Sequence, residues 1–149
     1  MTTANEQGVF HVLLVEDTED HAELVRRSLQ ACAVPSRITV LDNGDAALDY
    51  FFRRGRFADP ANSPHPDLIL LDLRLPGIDG LEVLRQIKAD DELRSLPVVV
   101  FSSSAAEADV IAAYRNYANS YVVKPSEIED LDRLMDSLTT YWLNWNRRS

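Results

Sequence analysis

Short apolar blocks alternate along the chain with stretches whose apolar residues recur every three or four positions. The blocks are Val9 to Val15 (VFHVLLV), Leu68 to Leu71 (LILL), Val98 to Phe101 (VVVF) and Tyr121 to Val123 (YVV). They are mostly continuous in apolar character, the pattern of strands covered on both faces in a parallel sheet. Arg37-Ile38-Thr39-Val40 alternates instead, which places it at a sheet edge. The helical stripes between the blocks are Ala22, Val25, Leu29 and Cys32; Ala47, Leu48, Phe51 and Phe52; Leu81, Leu84 and Ile87; and Val110, Ala113, Tyr114 and Tyr117. A fifth and longest stripe runs through Ile128, Leu131, Leu134, Met135, Leu138, Tyr141, Trp142 and Trp145. Asp79 with Glu82, Ser104 with Glu107 and Ser126 with Glu129 have capping-box spacing, and Pro97 marks the start of the fourth block.

Strand and helix thus alternate five times. Buried strands joined by helices predict an α/β fold, a three-layer α/β/α sandwich. Right-handed crossovers and an edge-like second strand match the flavodoxin-like order 2-1-3-4-5. In such a sheet, ligands bind beyond the carboxyl ends of the strands, which directs the search for chemistry there.

Composition narrows the partners. The chain has 149 residues, 24 of them acidic and 15 basic, for a formal charge of −9. That length fits one domain. The negative balance disfavours nucleic acid and anionic membranes, which need clustered Lys and Arg. A single cysteine, Cys32, suits a reducing compartment and is expected as a small buried apolar residue. Met1 to Gly8 is polar and lacks the apolar segment of a signal peptide, so it is expected as a disordered tail before a domain over 9–149. No apolar run approaches the roughly 18 residues a membrane span needs, and the expected location is cytoplasmic. Arg53 to Pro66 (RRGRFADPANSPHP) is a long connection, expected to be either a partner contact or simply mobile.

Chemistry collects at the strand ends. The first strand ends in Glu16-Asp17, the third in Asp72, the fourth in Ser102-Ser103-Ser104 and the fifth in Lys124-Pro125. Taken alone, Asp17, Thr18 and Asp20 could simply cap a helix. Taken together, three carboxylates converging at one edge repel unless a cation fills the site. Mg2+ prefers oxygen ligands and is typically held by one or two carboxylates plus a phosphate. A hydroxyl and an ammonium beside such a cluster complete a phosphate site.

LLVED (Leu13 to Asp17), LILLDLRLPGIDG (Leu68 to Gly80), PVVVFSS (Pro97 to Ser103) and YVVKP (Tyr121 to Pro125) closely resemble the receiver domain of two-component response regulators. The resemblance implies that Asp72 accepts a phosphoryl group from a phosphohistidine on a sensor histidine kinase. It implies Mg2+ (or Mn2+) held by Asp17, Asp72 and the backbone carbonyl of Arg74, with Glu16 acting through water. Ser102 matches the family's Thr/Ser switch, Lys124 its lysine and Tyr121 its rotating aromatic. Arg74 and Ser104 match positions that tune dephosphorylation. There are departures. Glu16 stands where many receivers have Asp, and Ser103 beside Ser102 leaves the switch assignment open by one residue. Tyr117-Ala118-Asn119-Ser120 replaces a common Gly-Ala, with Asn119 expected to take the left-handed turn.

The long loop and the aromatic tail resemble the single-domain receivers that partner bacterial phytochrome histidine kinases. Tyr141, Trp142 and Trp145 are of the types enriched at interfaces, so a homodimer through the last helix is expected. A signalling protein rather than an enzyme follows, acting by protein contact or by relay to a histidine phosphotransfer protein. Two alternatives are weaker. A small aspartyl-phosphate phosphohydrolase would need a second acid two residues after Asp72, where Arg74 stands. A receiver-like scaffold that is never phosphorylated would not need the acid, hydroxyl and lysine set. From Met1 to Val25 there are six acids and no Lys or Arg, an acidic rim suited to a basic partner surface.

Overall fold

The structure, a computed structural model, describes residues 9–146. The tail expected at Met1 to Gly8 and the last three residues of the chain lie outside them. The elements are β1 (Phe10–Val15), α1 (Glu19–Gln30), β2 (Ser36–Leu41), α2 (Gly44–Phe52), β3 (Leu68–Leu71), α3 (Gly80–Ala89), β4 (Val98–Ser102), α4 (Glu107–Arg115), β5 (Ser120–Val123) and α5 (Ile128–Thr140). A π-helical turn, Tyr141–Trp145, continues α5. The sheet is parallel throughout, in the order β2-β1-β3-β4-β5. This is the α/β/α architecture and strand order expected.

Side chains alternate across a sheet, so each strand feeds two cores. Leu13, Val15, Ile69, Leu71, Val98 and Val100 pack beneath α2 and α3. Val12, Leu14, Leu68, Leu70, Val99 and Phe101 pack beneath α1 and α5. Burial on both faces is why β1, β3 and β4 read as unbroken apolar runs. β5 reads the same way, yet it is the far edge of the sheet and only half-buried. The fourth stripe also fails as a core face. Ala113 is buried, but Tyr114 and Tyr117 are 49% and 76% exposed.

Local signals fared unevenly. Asp79 caps α3 by accepting from the Glu82 N–H. Ser104 does not cap α4, which begins after Ala106; its hydroxyl is engaged by Asp109 instead. Ser126 does not cap α5, whose N-cap position is Glu127 and makes no side-chain bond. Thr18 occupies the N-cap position of α1 without a side-chain bond, and Glu16 Oε2 takes the Thr18 N–H at 3.1 Å. The left-handed turn before β5 falls at Tyr117 (φ 67°), not at Asn119. Asn119 instead spends its side-chain oxygen on the Val98 N–H and Lys88 Nζ, 2.8 and 2.9 Å away. Cys32 is half-buried against the α1–α5 core, where burial pushes its thiol pKa up.

The long loop is folded. Two 3-10 turns, Gly55–Phe57 and Pro60–Asn62, shape it. Tyr50 anchors it: its hydroxyl donates to the Pro64 carbonyl at 2.5 Å, and its ring meets Phe57 edge-on at 5.1 Å.

Candidate functional site

The register of the central strands assembles the site. Val15 pairs with Leu71, so the next residues, Glu16 and Asp72, emerge side by side. Their backbones continue the ladder, Glu16 N–H to Leu41 and Asp72 N–H to Val15. One side-chain oxygen from each of Glu16, Asp17 and Asp72 lies within 4.8 Å of the others. Glu16 and Asp72 are buried, whereas Asp17 is exposed. Ser102 and Val123 pair at the ends of β4 and β5, which brings Lys124 in from the other side.

Lys124 Nζ donates to Glu16 Oε1 at 2.5 Å and to Asp72 Oδ2 at 2.9 Å. Burial disfavours the ammonium, but its hydrogen bonds to the two carboxylates and their charges outweigh that and raise its pKa. The extra methylene of Glu16 is therefore used: it spans to Lys124 with one oxygen and receives the Thr18 N–H with the other. His21, on the first turns of α1, stands 3.7 Å from Glu16 Oε1. Three oxygen acids around one position form a donor set that suits a hard divalent cation such as Mg2+ or Mn2+.

The loops that follow the strands are tied to these groups. The Arg74 N–H donates to Asp72 Oδ1, and the Ser104 N–H donates to Ser102 Oγ, each at 3.1 Å. Ser102 is buried and Ser103 is exposed. Tyr121 packs half-buried against the core, and its hydroxyl donates to the Ser104 carbonyl at 2.8 Å. Close packing leaves no slack beneath Asp72. A Cβ on Gly80 would lie 2.0 Å from the Asp72 carbonyl oxygen.

Two hollows flank the site. One, about 320 Å³, has an apolar floor of Val25, Phe101 and Leu131 and a polar rim of His21, Ser103 and Lys124. The other, about 580 Å³, is lined by Asp17, Glu19, Glu23 and Asp42, with Arg26 and Arg56 among them. Arg56 comes from the long loop, which thus reaches the acidic rim beside Asp17.

Residues 12–136 match the response regulator receiver domain family. The chain belongs to this family. The receiver is 45% identical over 138 residues to the probable methanogenesis regulatory protein FilR2 of Methanothrix harundinacea (strain 6Ac), covering 93% of this chain and 86% of that one. It is 39% identical over 132 residues to the response regulator Rcp1 of Synechocystis, covering 89% and 88%. The Mn2+-bound structure of Rcp1 superposes with a TM-score of 0.83 at 36% identity, covering 94% of this chain and 99% of that one. The phosphorylated cyanobacterial phytochrome response regulator RcpA gives 0.85 at 34% identity, covering 93% and 97%. The receiver is therefore a component of phosphorylation-based two-component signalling, close to the phytochrome response regulators.

Of the residues singled out in the sequence, Glu16, Asp17, Asp72 and Lys124 come together, and Ser102 adjoins them through its backbone carbonyl, which accepts the Lys124 N–H. Arg74, Ser104 and Tyr121 form a second tier connected to them. Tyr141, Trp142 and Trp145 lie apart, on the turn after α5. Asp109 and His21 were missed. An acid in the first turn of a helix reads as a partner for the helix dipole, and nothing in the sequence shows that Asp109 faces Ser104 and Arg74.

Proposed function

We propose that Asp72 is the phosphoacceptor and that Glu16, Asp17 and Asp72, with the Arg74 carbonyl, hold a Mg2+ or Mn2+ ion. The observation that carries this is the convergence of three acids and the Lys124 ammonium at the strand ends, with Ser102 buried at the neighbouring end of β4. An Asp72 carboxylate oxygen attacks the phosphorus of a phosphohistidine. The P–N bond breaks, and its electron pair returns to the imidazole of the kinase. A carboxylate nucleophile has no proton to give up on attack, so no general base is needed. A divalent ion held by these residues would supply positive charge to the phosphoryl oxygens. Lys124, 2.9 Å from Asp72, neutralises developing charge there. Ser102, buried at the end of β4, accepts the Ser104 N–H on its oxygen, which leaves its hydroxyl proton to be donated to a phosphoryl oxygen. Ser103, exposed in the neighbouring hollow, is the second choice for that contact.

The resulting signal is a population shift in the β4–α4 loop and β5, where Ser102, Ser104 and Tyr121 are joined. Arg74 and Ser104 flank the site and tune dephosphorylation. The partner is a sensor histidine kinase of phytochrome type, supported by the likeness to Rcp1 and RcpA. Such a kinase delivers its phosphoryl group in the cytoplasm, the compartment proposed for the chain. Among the described residues no helix is long and apolar enough to cross a membrane. Output passes through protein contacts, including a homodimer or a histidine phosphotransfer protein, and not through nucleic acid. Tyr141 and Trp145, 50% and 77% exposed, with Trp142 stacked edge-on against Tyr141, supply an aromatic surface for the dimer. The chain is a phosphoacceptor rather than an enzyme acting on a small phosphate ester: Arg74 is ion-paired to Asp109 where a hydrolase would place an acid.

The test is label transfer from a phosphorylated phytochrome-type kinase to the receiver and to Asp72→Asn. Stoichiometric, metal-dependent labelling that is lost in the variant is expected. Normal labelling of the variant would reject the assignment.

A further inference from the structure

Asp109 makes a contact pattern that the phosphoacceptor chemistry does not account for. A single oxygen, Oδ2, accepts from Ser104 Oγ at 2.6 Å and from Arg74 Nη2 at 2.8 Å. The three residues belong to three segments: the loop after β3, the loop after β4 and the first turn of α4. Both residues that Asp109 grips are tied by their backbone amides to the site itself, Arg74 to Asp72 Oδ1 and Ser104 to Ser102 Oγ.

Exposure separates the fixed part from the movable one. The Asp109 side chain is 21% exposed, whereas that of Arg74 is 72% exposed. Ser104 is further held, since its hydroxyl accepts from the Ala106 N–H and its carbonyl accepts from Tyr121. The guanidinium is thus a long arm rooted beside Asp72 and parked on α4. A phosphoryl group carries about −1.5 to −2 charge at neutral pH and presents acceptor oxygens that match a guanidinium fork. It is a stronger partner for Arg74 than one carboxylate, because a pair whose guanidinium is 72% exposed is weak and screened.

We propose that Asp109 is a positioning residue that parks Arg74 on α4 in the unphosphorylated receiver and releases it to the phosphoryl group on Asp72. The release loosens the joint between α4 and the loop after β3, so occupancy of Asp72 is transmitted to α4. This rests on Asp72 being the phosphoacceptor. Asp109 opposes the phosphorylated arrangement, because its charge must be given up by Arg74 before the phosphoryl group gains it.

The test is a double-mutant cycle on the full chain, read as the affinity for beryllofluoride, a phosphoryl mimic, in the presence of Mg2+. Asp109→Asn is expected to bind beryllofluoride about two- to fivefold more tightly, the range for loss of one exposed ion pair. Asp109→Glu, which keeps the charge, should return the affinity toward wild type. In an Arg74→Ala background, Asp109→Asn should have no effect, which a purely structural role for Asp109 would not produce. Unchanged affinity in Asp109→Asn, or a gain that persists without Arg74, overturns the parking role while leaving the phosphoacceptor intact. Failure of the wild-type chain to bind beryllofluoride with Mg2+ overturns the Asp72 assignment and this inference with it.

Discussion

Lys124 and Asp72 form an ion pair at 2.9 Å across the mouth of the sheet, between side chains only 11% and 9% exposed. The same ammonium holds Glu16 at 2.5 Å. The chain itself thus contributes one cation to the site.

Replacing Lys124 by Met removes that cation and leaves Glu16 and Asp72 facing each other with Asp17 beside them. Breaking a buried pair typically costs about 3–5 kcal/mol, and the partial exposure of this one sets the expectation near the lower end. Urea unfolding without divalent ions should show that loss. Added Mg2+ should restore more stability to Lys124→Met than it adds to wild type, because the variant has more uncompensated charge to neutralise. Equal Mg2+ effects on both proteins would contradict the geometry described.

Gly80→Ala tests how tightly the loop after β3 is packed beneath Asp72. The new methyl carbon would stand 2.0 Å from the Asp72 carbonyl oxygen and 2.7 Å from Leu73 Cα, both backbone atoms that cannot swing aside. The loop must move, so stability should fall by roughly 1–3 kcal/mol, the range for overpacking. Phosphoryl uptake should fall with it, since the Asp72 backbone shifts. A variant that folds and labels like wild type would show that the loop is slack.

His11 gives the fold an acid sensitivity remote from the site. The ring is fully buried; Nδ1 faces Arg37 Nη2 at 3.5 Å and Nε2 meets Thr39 Oγ1 at 2.8 Å. Burial, then the Arg37 charge, lowers its pKa from 6.5 to about 4. As pH falls below 6.5 the unfolded chain takes up a proton that the folded chain refuses. Stability is thus lost between pH 6.5 and about 4 and not further below, by roughly 3 kcal/mol in total. Urea titrations across that window should show the slope in wild type and a shallower one in His11→Gln. Identical slopes would mean that His11 titrates freely in the folded state.

The architecture was readable where burial on both faces leaves a continuous apolar run, as in LILL and VVVF. Burial, not strand order, was overread where an edge or a surface mimics that pattern. Val122 and Val123 resemble core positions although β5 has a neighbour on one side only, and Tyr114 and Tyr117 keep helical spacing while facing water. The site residues were readable because strand ends converge by topology, which needs no side-chain geometry. What the sequence could not show is which carboxylate each donor chooses. Ser104 has the spacing of a cap, yet its hydroxyl goes to Asp109, five residues on. Likewise, Glu16 stands next to Asp17 in the chain but finds its partner in Lys124, 108 residues away.

Tyr50→Phe probes the long loop. It removes the 2.5 Å bond to the Pro64 carbonyl while keeping the ring contact with Phe57. A loss of about 1 kcal/mol is expected, the usual net worth of such a bond. Amide exchange should quicken around residues 54–66 and stay unchanged at β1 and β3. Uniform quickening across the sheet would show that the loop is not a separate unit.

The central claim is that Asp72 is the residue that carries the phosphoryl group. Borohydride reduction of the phosphorylated chain converts phosphoaspartate to homoserine, which peptide mass spectrometry locates by residue. The account predicts homoserine at position 72, formed only when Mg2+ or Mn2+ accompanies the phosphodonor. Homoserine at Asp17 or any other acid, with position 72 unmodified, would contradict it.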